Sequence, residues 1–281
     1  MNLTDVRTIK NLASKYNISP SQDRGQNFLI DEKILNSIIK LSNIKKQDNI
    51  LEIGPGFGVL TNELLSNGAK VLAIESDKKF SNHLAKQYSK KKNFKLEQKD
   101  ILKISNQEIS NYLGKDYRVI SNIPYQITGK IIKKFISSDL PKPESALLLV
   151  QKEVADRINA GPGKMSLLGI SVQLYAKPKI VLDVPKESFW PAPKVDSCLL
   201  EISRISSKPN YDINEDKFWQ LARIGFSSPR KQLRNNIANS LNMDQEAVKS
   251  ALKKSGLKHT ARSQELSIEQ WISFLAALER N

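Results

Sequence analysis

Four polar positions stand one strand–helix interval apart in the first half of this 281-residue chain. They are the glycine turn in EIGPGFG (52–58), Glu75, Asp100 and Asn122, and the intervals from Gly54 are 21, 25 and 22 residues. Gly54, Gly56 and Gly58 allow a backbone to turn tightly into a helix and to approach a ligand closely. An acid about 20 residues later, ending the next strand, can hydrogen-bond a ribose diol. Asp100, ending a third strand, can accept from an adenine amino group. A dinucleotide would be served equally well by the first two. Glu52 disfavours it, because negative charge beside the turn suits a cationic ligand and opposes a pyrophosphate.

Asn122 opens the segment NIPY (122–125). The exocyclic amine of adenine is a poor nucleophile because its lone pair is conjugated into the ring. Two acceptors, the Asn122 side-chain oxygen and the backbone carbonyl of Ile123 or Pro124, can take its two N–H groups. The nitrogen then moves toward sp³ and its lone pair is freed for in-line attack on a carbon held about 3 Å away. No base of perturbed pKa is required. Pro124 fixes the turn's φ, and Tyr125 offers a flat face to a base taken out of its stack, worth about 1–3 kcal/mol. A turn that tolerates a cation, a ribose acid, an adenine acid and an amide together resemble the site of class I S-adenosylmethionine-dependent methyltransferases.

These residues need a scaffold that delivers strand ends to one crevice. Apolar strands at 49–54, 70–75, 94–100, 117–122 and 145–152 alternate with helical patterns. That alternation predicts an α/β fold with a parallel sheet and helices on both faces. Strands at 179–184 and 197–202, joined by the Pro-rich PKESFWPAPKVD, predict an antiparallel edge, making seven strands. Residues 203–216, SRISSKPNYDINED, read as a linker, and only helical periodicity follows. The expected domains are a Rossmann-like catalytic unit over 1–206 and a small all-α unit over 207–281.

Charge points to a polyanion. Forty-four Lys and Arg against 29 Asp and Glu give a formal +15, and residues 223–262 hold nine basic residues and two acids. Such a surface releases condensed counterions from nucleic-acid phosphates. One cysteine, Cys198, excludes an internal disulfide and suits a reducing cytoplasm. Two histidines in unrelated contexts disfavour a zinc centre or a histidine-based hydrolase, and no metal is expected. The N-terminus has no apolar leader, and the longest strongly apolar run, ALLLV, is far short of a membrane span.

The segments GQNFL (25–29), EIGPGFGVLT (52–61), IESD (74–77), SNIPYQI (121–127), FWPAPKVDS (189–197) and FSSPRKQLRNN (226–236) occur in the order seen in the ribosomal RNA adenine dimethyltransferases. The chain resembles that family from about residue 20 onward, and within it the bacterial small-subunit branch. The resemblance implies S-adenosylmethionine as cofactor and two adjacent adenosines in the 3′-terminal hairpin of 16S rRNA as substrate. The setting would be a small-subunit assembly particle; apart from the resemblance, a monomer is expected, because no heptad or exposed apolar stripe argues otherwise. It implies that Asn27 and Leu29 close over the cofactor, with Gly54 at its methionine part, Glu75 at its ribose, Asp100 at its adenine and Asn122 beside the methyl donor. Asn122, Pro124 and Tyr125 would hold the target base, with Phe189 packing its other face; composition alone would place Phe189 in a hairpin core. Arg230, Lys231 and Arg234 would meet RNA phosphates. Two departures stand out: Asp23 before the first glycine, and Pro229 where the pattern has a basic residue. Rival readings are a methyltransferase of large-subunit rRNA, a non-catalytic ribosome-assembly or transcription factor, and a dinucleotide oxidoreductase.

Overall fold

The computed structural model describes residues 2–20, 25–136 and 140–280, so Asp23 lies outside the described residues. The chain opens with α1 (Val6–Lys15), capped by the Asp5 carboxylate, and a two-residue strand, β1 (Phe28–Leu29). Alternation follows: α2 (Glu32–Ser42), β2 (Asn49–Ile53), α3 (Val59–Ser66), β3 (Lys70–Ile74), α4 (Lys78–Gln87), β4 (Phe94–Glu97) and α5 (Asn106–Leu113). It continues through β5 (Arg118–Asn122), α6 (Thr128–Ile136) and β6 (Ser145–Gln151). After α7 (Lys152–Asn159) and α8 (Leu167–Gln173) come β7 (Lys177–Val184), the short β8 (Phe189–Trp190) and β9 (Ser197–Ser203). The last helices are α9 (Glu215–Gly225), α10 (Leu233–Leu241), α11 (Gln245–Lys254) and α12 (Ile268–Glu279).

Seven strands form one sheet in the order β4-β3-β2-β5-β6-β9-β7. The first five are parallel, and β9 runs antiparallel between β6 and β7. Residues 50–53, 71–74, 119–121 and 146–150 are buried without alternation, as expected of strands covered on both faces. The expected α/β class, sheet direction and antiparallel edge are therefore found.

Strand order reverses between β2 and β5, and the two separate there. Their ladder pairs Ile50 with Arg118 and Leu51 with Val119 and goes no further. Beyond it the Ser121 hydroxyl donates to the Ile53 carbonyl at 2.6 Å and accepts the Ile53 N–H at 3.1 Å. A side chain thus replaces the missing ladder and holds the strand ends apart at the switch point, where open α/β sheets bind ligands. A second, two-stranded ribbon pairs β1 with β8, Phe28 opposite Trp190 and Leu29 opposite Phe189. It fixes the N-terminal segment to the chain near residue 189.

The chain divides into two compact units, 1–155 with 177–207, and 156–176 with 208–281. The second takes in a segment that the sequence boundary at 206/207 left with the first. Specific bonds retain it there. The Tyr175 hydroxyl donates to Glu215 at 2.7 Å and accepts from the Trp219 indole at 3.1 Å, and the Asn210 N–H donates to the Leu174 carbonyl at 2.9 Å. The core of this unit includes Phe218, Leu233, Ile237, Leu252, Trp271 and Phe274, all buried.

Candidate active site

One cavity of about 490 Å³ opens at the carboxyl ends of β2, β3 and β5. Asn27, Leu29, Gly54, Glu75, Asp100, Asn122, Pro124 and Tyr125 all line it. These come from five separate stretches of chain, and the sheet order brings them together. Its size lies in the range of ligand sites, roughly 300–1,000 Å³.

Phe189 is the exception. It is 2% exposed, pairs with Leu29 in the β1–β8 ribbon, belongs to the hydrophobic core and is absent from the cavity wall. Burial of a large aromatic surface favours that place, in keeping with the hairpin-core reading of this residue. A cavity aromatic that spacing did not single out is Phe28. Its ring lies 4.7 Å from Phe57 and 5.6 Å from Phe80, centroid to centroid. It also explains Gly56, whose φ is +58° and where a Cβ would stand 3.0 Å from the Phe28 ring.

The glycine turn is closed by an acid. Glu75 accepts the Gly56 N–H on one oxygen at 3.3 Å and the Asp77 N–H on the other at 2.9 Å. Burial raises its pKa, and these two backbone donors oppose the shift. The turn's Gly56 amide therefore points at a carboxylate rather than standing open to a phosphate. Glu52 lies deeper, 2% exposed, with its carboxyl accepting the Thr61 hydroxyl at 2.6 Å. Burial, with the neighbouring Glu75 charge adding to it, pushes the Glu52 pKa up to about 8. Asp100 is half-buried and accepts the Leu102 N–H at 2.9 Å.

Among the described residues the lining carries four carboxyl groups, Glu52, Glu75, Asp77 and Asp100, and one cation, Lys99. The Lys99 ammonium is engaged by Glu108 at 3.0 Å. Glu52 is largely protonated below about pH 8, so the negative charge expected of it from the sequence is not there at neutral pH. The other carboxyl groups of the wall suit a cationic ligand with hydroxyl and amino donors and are unfavourable for a dinucleotide pyrophosphate. S-Adenosylmethionine, with a sulfonium, a ribose and an adenine, fits this donor set.

At the opposite wall the Asn122 Nδ2 donates to the Asn27 carbonyl at 3.2 Å. That bond takes one N–H of the side-chain NH2 group and leaves Oδ1 as the amide's acceptor. Of the two backbone candidates, the Pro124 carbonyl accepts the Ile127 N–H at 3.2 Å and the Thr128 hydroxyl at 3.3 Å. The Ile123 carbonyl accepts no such bond among the described residues, so it is the free member of the pair. A short 3₁₀ turn, Tyr125–Ile127, follows Pro124 and places the Tyr125 ring at the cavity.

The second unit holds the basic segment on a turn between α9 and α10. Asn236 donates to the Gly225 carbonyl at 2.8 Å and to the Ser228 carbonyl at 3.1 Å, and the Ser263 hydroxyl also donates to Gly225. Arg230 and Lys231 are exposed there, whereas Arg234 is half-buried in the first turn of α10, its Nε shielded from solvent. Pro229 is exposed within the turn. Among the described residues no cluster of His, Cys, Asp and Glu could hold a metal ion, and no helix is long and apolar enough to cross a membrane.

Comparison with known proteins agrees with this geometry. The family model described as ribosomal RNA adenine dimethylase matches residues 18–279. A ribosomal RNA small subunit methyltransferase A from Dehalococcoides mccartyi (strain CBDB1) is 38% identical over 264 residues, 93% of this chain and 89% of that protein. One from Clostridioides difficile (strain 630) is 36% identical, covering 96% and 94%. The crystal structure of a dimethyladenosine transferase from Plasmodium falciparum superposes with a TM-score of 0.71 at 28% identity, over 90% of this chain and 97% of that one. The 23S rRNA methyltransferase ErmE shares the fold, with a TM-score of 0.71 at 23% identity, over 90% of this chain and all of that one. With a glycine turn closed by an acid, an amide oriented at the same cavity and a family match over nearly its whole length, this chain belongs to the ribosomal RNA adenine dimethylase family.

Proposed function

We propose that this chain uses S-adenosylmethionine to dimethylate the N6 amines of two adjacent adenosines in the 3′-terminal hairpin of 16S rRNA, acting in the cytoplasm on a small-subunit assembly particle. The observation that carries the reading is Asn122, tied through Nδ2 to the Asn27 carbonyl in a wall of carboxyl groups. The cofactor supplies an electrophilic methyl group. Glu75 and Asp100 hold its ribose and adenine, Gly54 admits its methionine part, and Asn27 and Leu29 cover it. Asn122 Oδ1 and the Ile123 carbonyl accept the two N–H groups of the target amine, which frees its lone pair. Pro124 rigidifies the turn and Tyr125 stacks on the base. A monomethylated amine still has one N–H to donate. In each transfer the N–C bond forms as the S–C bond breaks, with the sulfur leaving as the neutral thioether, and the methylated nitrogen gives up its proton to water. A second transfer therefore requires no dedicated base but room for one methyl group.

The all-helical unit grips the RNA backbone, which positions without reading sequence. Arg230→Ala and Lys231→Ala are each expected to flatten the plot of log binding constant against log salt by about 0.7–1. Arg234→Ala, half-buried, changes the slope less. Filter binding to ribosomal RNA across a salt series reads this directly.

The deciding experiment is transfer of radiolabelled methyl from S-adenosylmethionine to small subunits lacking the modification, with chromatography of the digested nucleosides. N6,N6-Dimethyladenosine from that substrate supports the proposal. Transfer to large-subunit rRNA instead would remove the substrate while keeping the reaction. Binding of RNA without cofactor would favour a non-catalytic assembly role.

A further inference from the structure

The Tyr125 hydroxyl lies 2.6 Å from the Ser197 hydroxyl, 72 residues away in the chain. The two ends of this contact differ in rigidity. Tyr125 starts a three-residue 3₁₀ turn, an element with little hold of its own. Ser197 is fully buried and is the first residue of β9, paired on one side with Gln151 of β6 and on the other with Val184 of β7. Because β6 lies between β5 and β9, the phenol crosses the carboxyl end of β6 to reach its anchor.

Given the base-methylating reaction proposed above, we infer that Ser197 is a positioning residue: it fixes the Tyr125 ring from its far end, so that the stacking face is set before the base arrives. A tyrosine held only at Cα could swing about χ1 and would have to be ordered with each base. Held at both ends, it presents one plane. The hydroxyl is occupied by Ser197 and takes no part in the chemistry, so its role is separable from that of the ring. Burial also raises the phenol's pKa, which keeps it neutral beside the base.

The test is a double-mutant cycle of Tyr125→Phe, Ser197→Ala and the double variant, assayed with small subunits and S-adenosylmethionine. Tyr125→Phe keeps the ring and removes the same bond from the cavity side, so this arm of the cycle leaves the sheet unchanged and is read even if Ser197→Ala disturbs β9. Each single variant is expected to lose about three- to tenfold in kcat, the scale of one hydrogen bond. The KM values stay within about twofold, because RNA affinity resides mainly in backbone contacts. The double variant is no slower than the slower single one, as one shared bond requires. Monomethyladenosine accumulates in all three, because the second transfer needs the same ring alignment again. Losses that multiply, or a Tyr125→Phe variant with wild-type kcat and product ratio, would overturn the tether while leaving the reaction standing. A wild type that transfers no methyl group at all removes the reaction, and the tether's role with it.

Discussion

Asn122→Ala is expected to lower the rate of methyl transfer by about 10²–10³-fold, the usual cost of deleting one preorganised group aimed at a reacting atom. The amide is held by its Nδ2 bond to the Asn27 carbonyl, so Oδ1 is fixed before substrate arrives and little reorganisation accompanies the reaction. Alanine removes that acceptor and leaves one N–H of the amine without a partner, so its lone pair stays conjugated. The glycine turn and Glu75 are untouched, and calorimetry should show the cofactor still bound. Asn122→Asp separates orientation from acceptance. It keeps the oxygen, but an ionised carboxylate has no donor for the Asn27 carbonyl, so it too is slow. Single-turnover transfer measures both. An Asn122→Ala enzyme within a few-fold of wild type would refute the amide's role.

The second large effect concerns Glu52. Its folded pKa of about 8 lies well above the ordinary 4.5, because the carboxyl is buried and faces Glu75. Between those values the native state holds a proton that the unfolded chain has lost. Stability from this group is therefore complete below about pH 4.5 and is lost as pH rises through 8, by roughly 1.4 kcal/mol per pH unit within the window. Glu52→Gln still accepts the Thr61 hydroxyl but does not titrate. The Tm of the variant should match or trail wild type at pH 5 and exceed it at pH 8.5 by roughly 5 °C or more. A gap independent of pH would contradict the assignment. The same acid predicts proton release when a sulfonium binds near pH 7, since a cation favours the ionised form. Calorimetry in buffers of different ionisation heat would detect that release in wild type and not in Glu52→Gln.

Much of the site was legible because its residues sit at fixed places in a local pattern. Gly54 and Glu75 directly follow β2 and β3, and Asn122 ends β5. Asp100 lies three residues past the end of β4, which stops at Glu97 rather than running to residue 100. A parallel sheet carries strand ends to one edge whatever the details of packing. Asn27 and Leu29 came from a motif resemblance rather than from such a pattern, and the structure does place both at the cavity. Contacts between distant segments were not legible. The Tyr125–Ser197 and Asn27–Asn122 pairs depend on how turns pack after the sheet has formed, and no periodicity encodes them. Phe189 carries both readings made of it: its motif implies a role at the base, and cross-strand pairing with Leu29 buries the ring. That the segment 156–176 groups with the last helices was not legible for a similar reason. Its partners, Glu215 and Trp219, lie 40 or more residues onward, beyond the reach of a local reading.

The bond that orients Asn122 is made by a main-chain carbonyl, and this has a consequence for mutational tolerance. No side-chain replacement at position 27 removes that oxygen, so point-substitution scans of residue 27 are blind to the alignment of the Asn122 amide. Changes in length act differently. Inserting or deleting one residue between Gly25 and the β1 pairing at Phe28–Leu29 moves the carbonyl along the chain and takes the amide's anchor away. The GQNFL segment is thus constrained more tightly in spacing than in composition, and drift there should proceed by substitution while indels are eliminated.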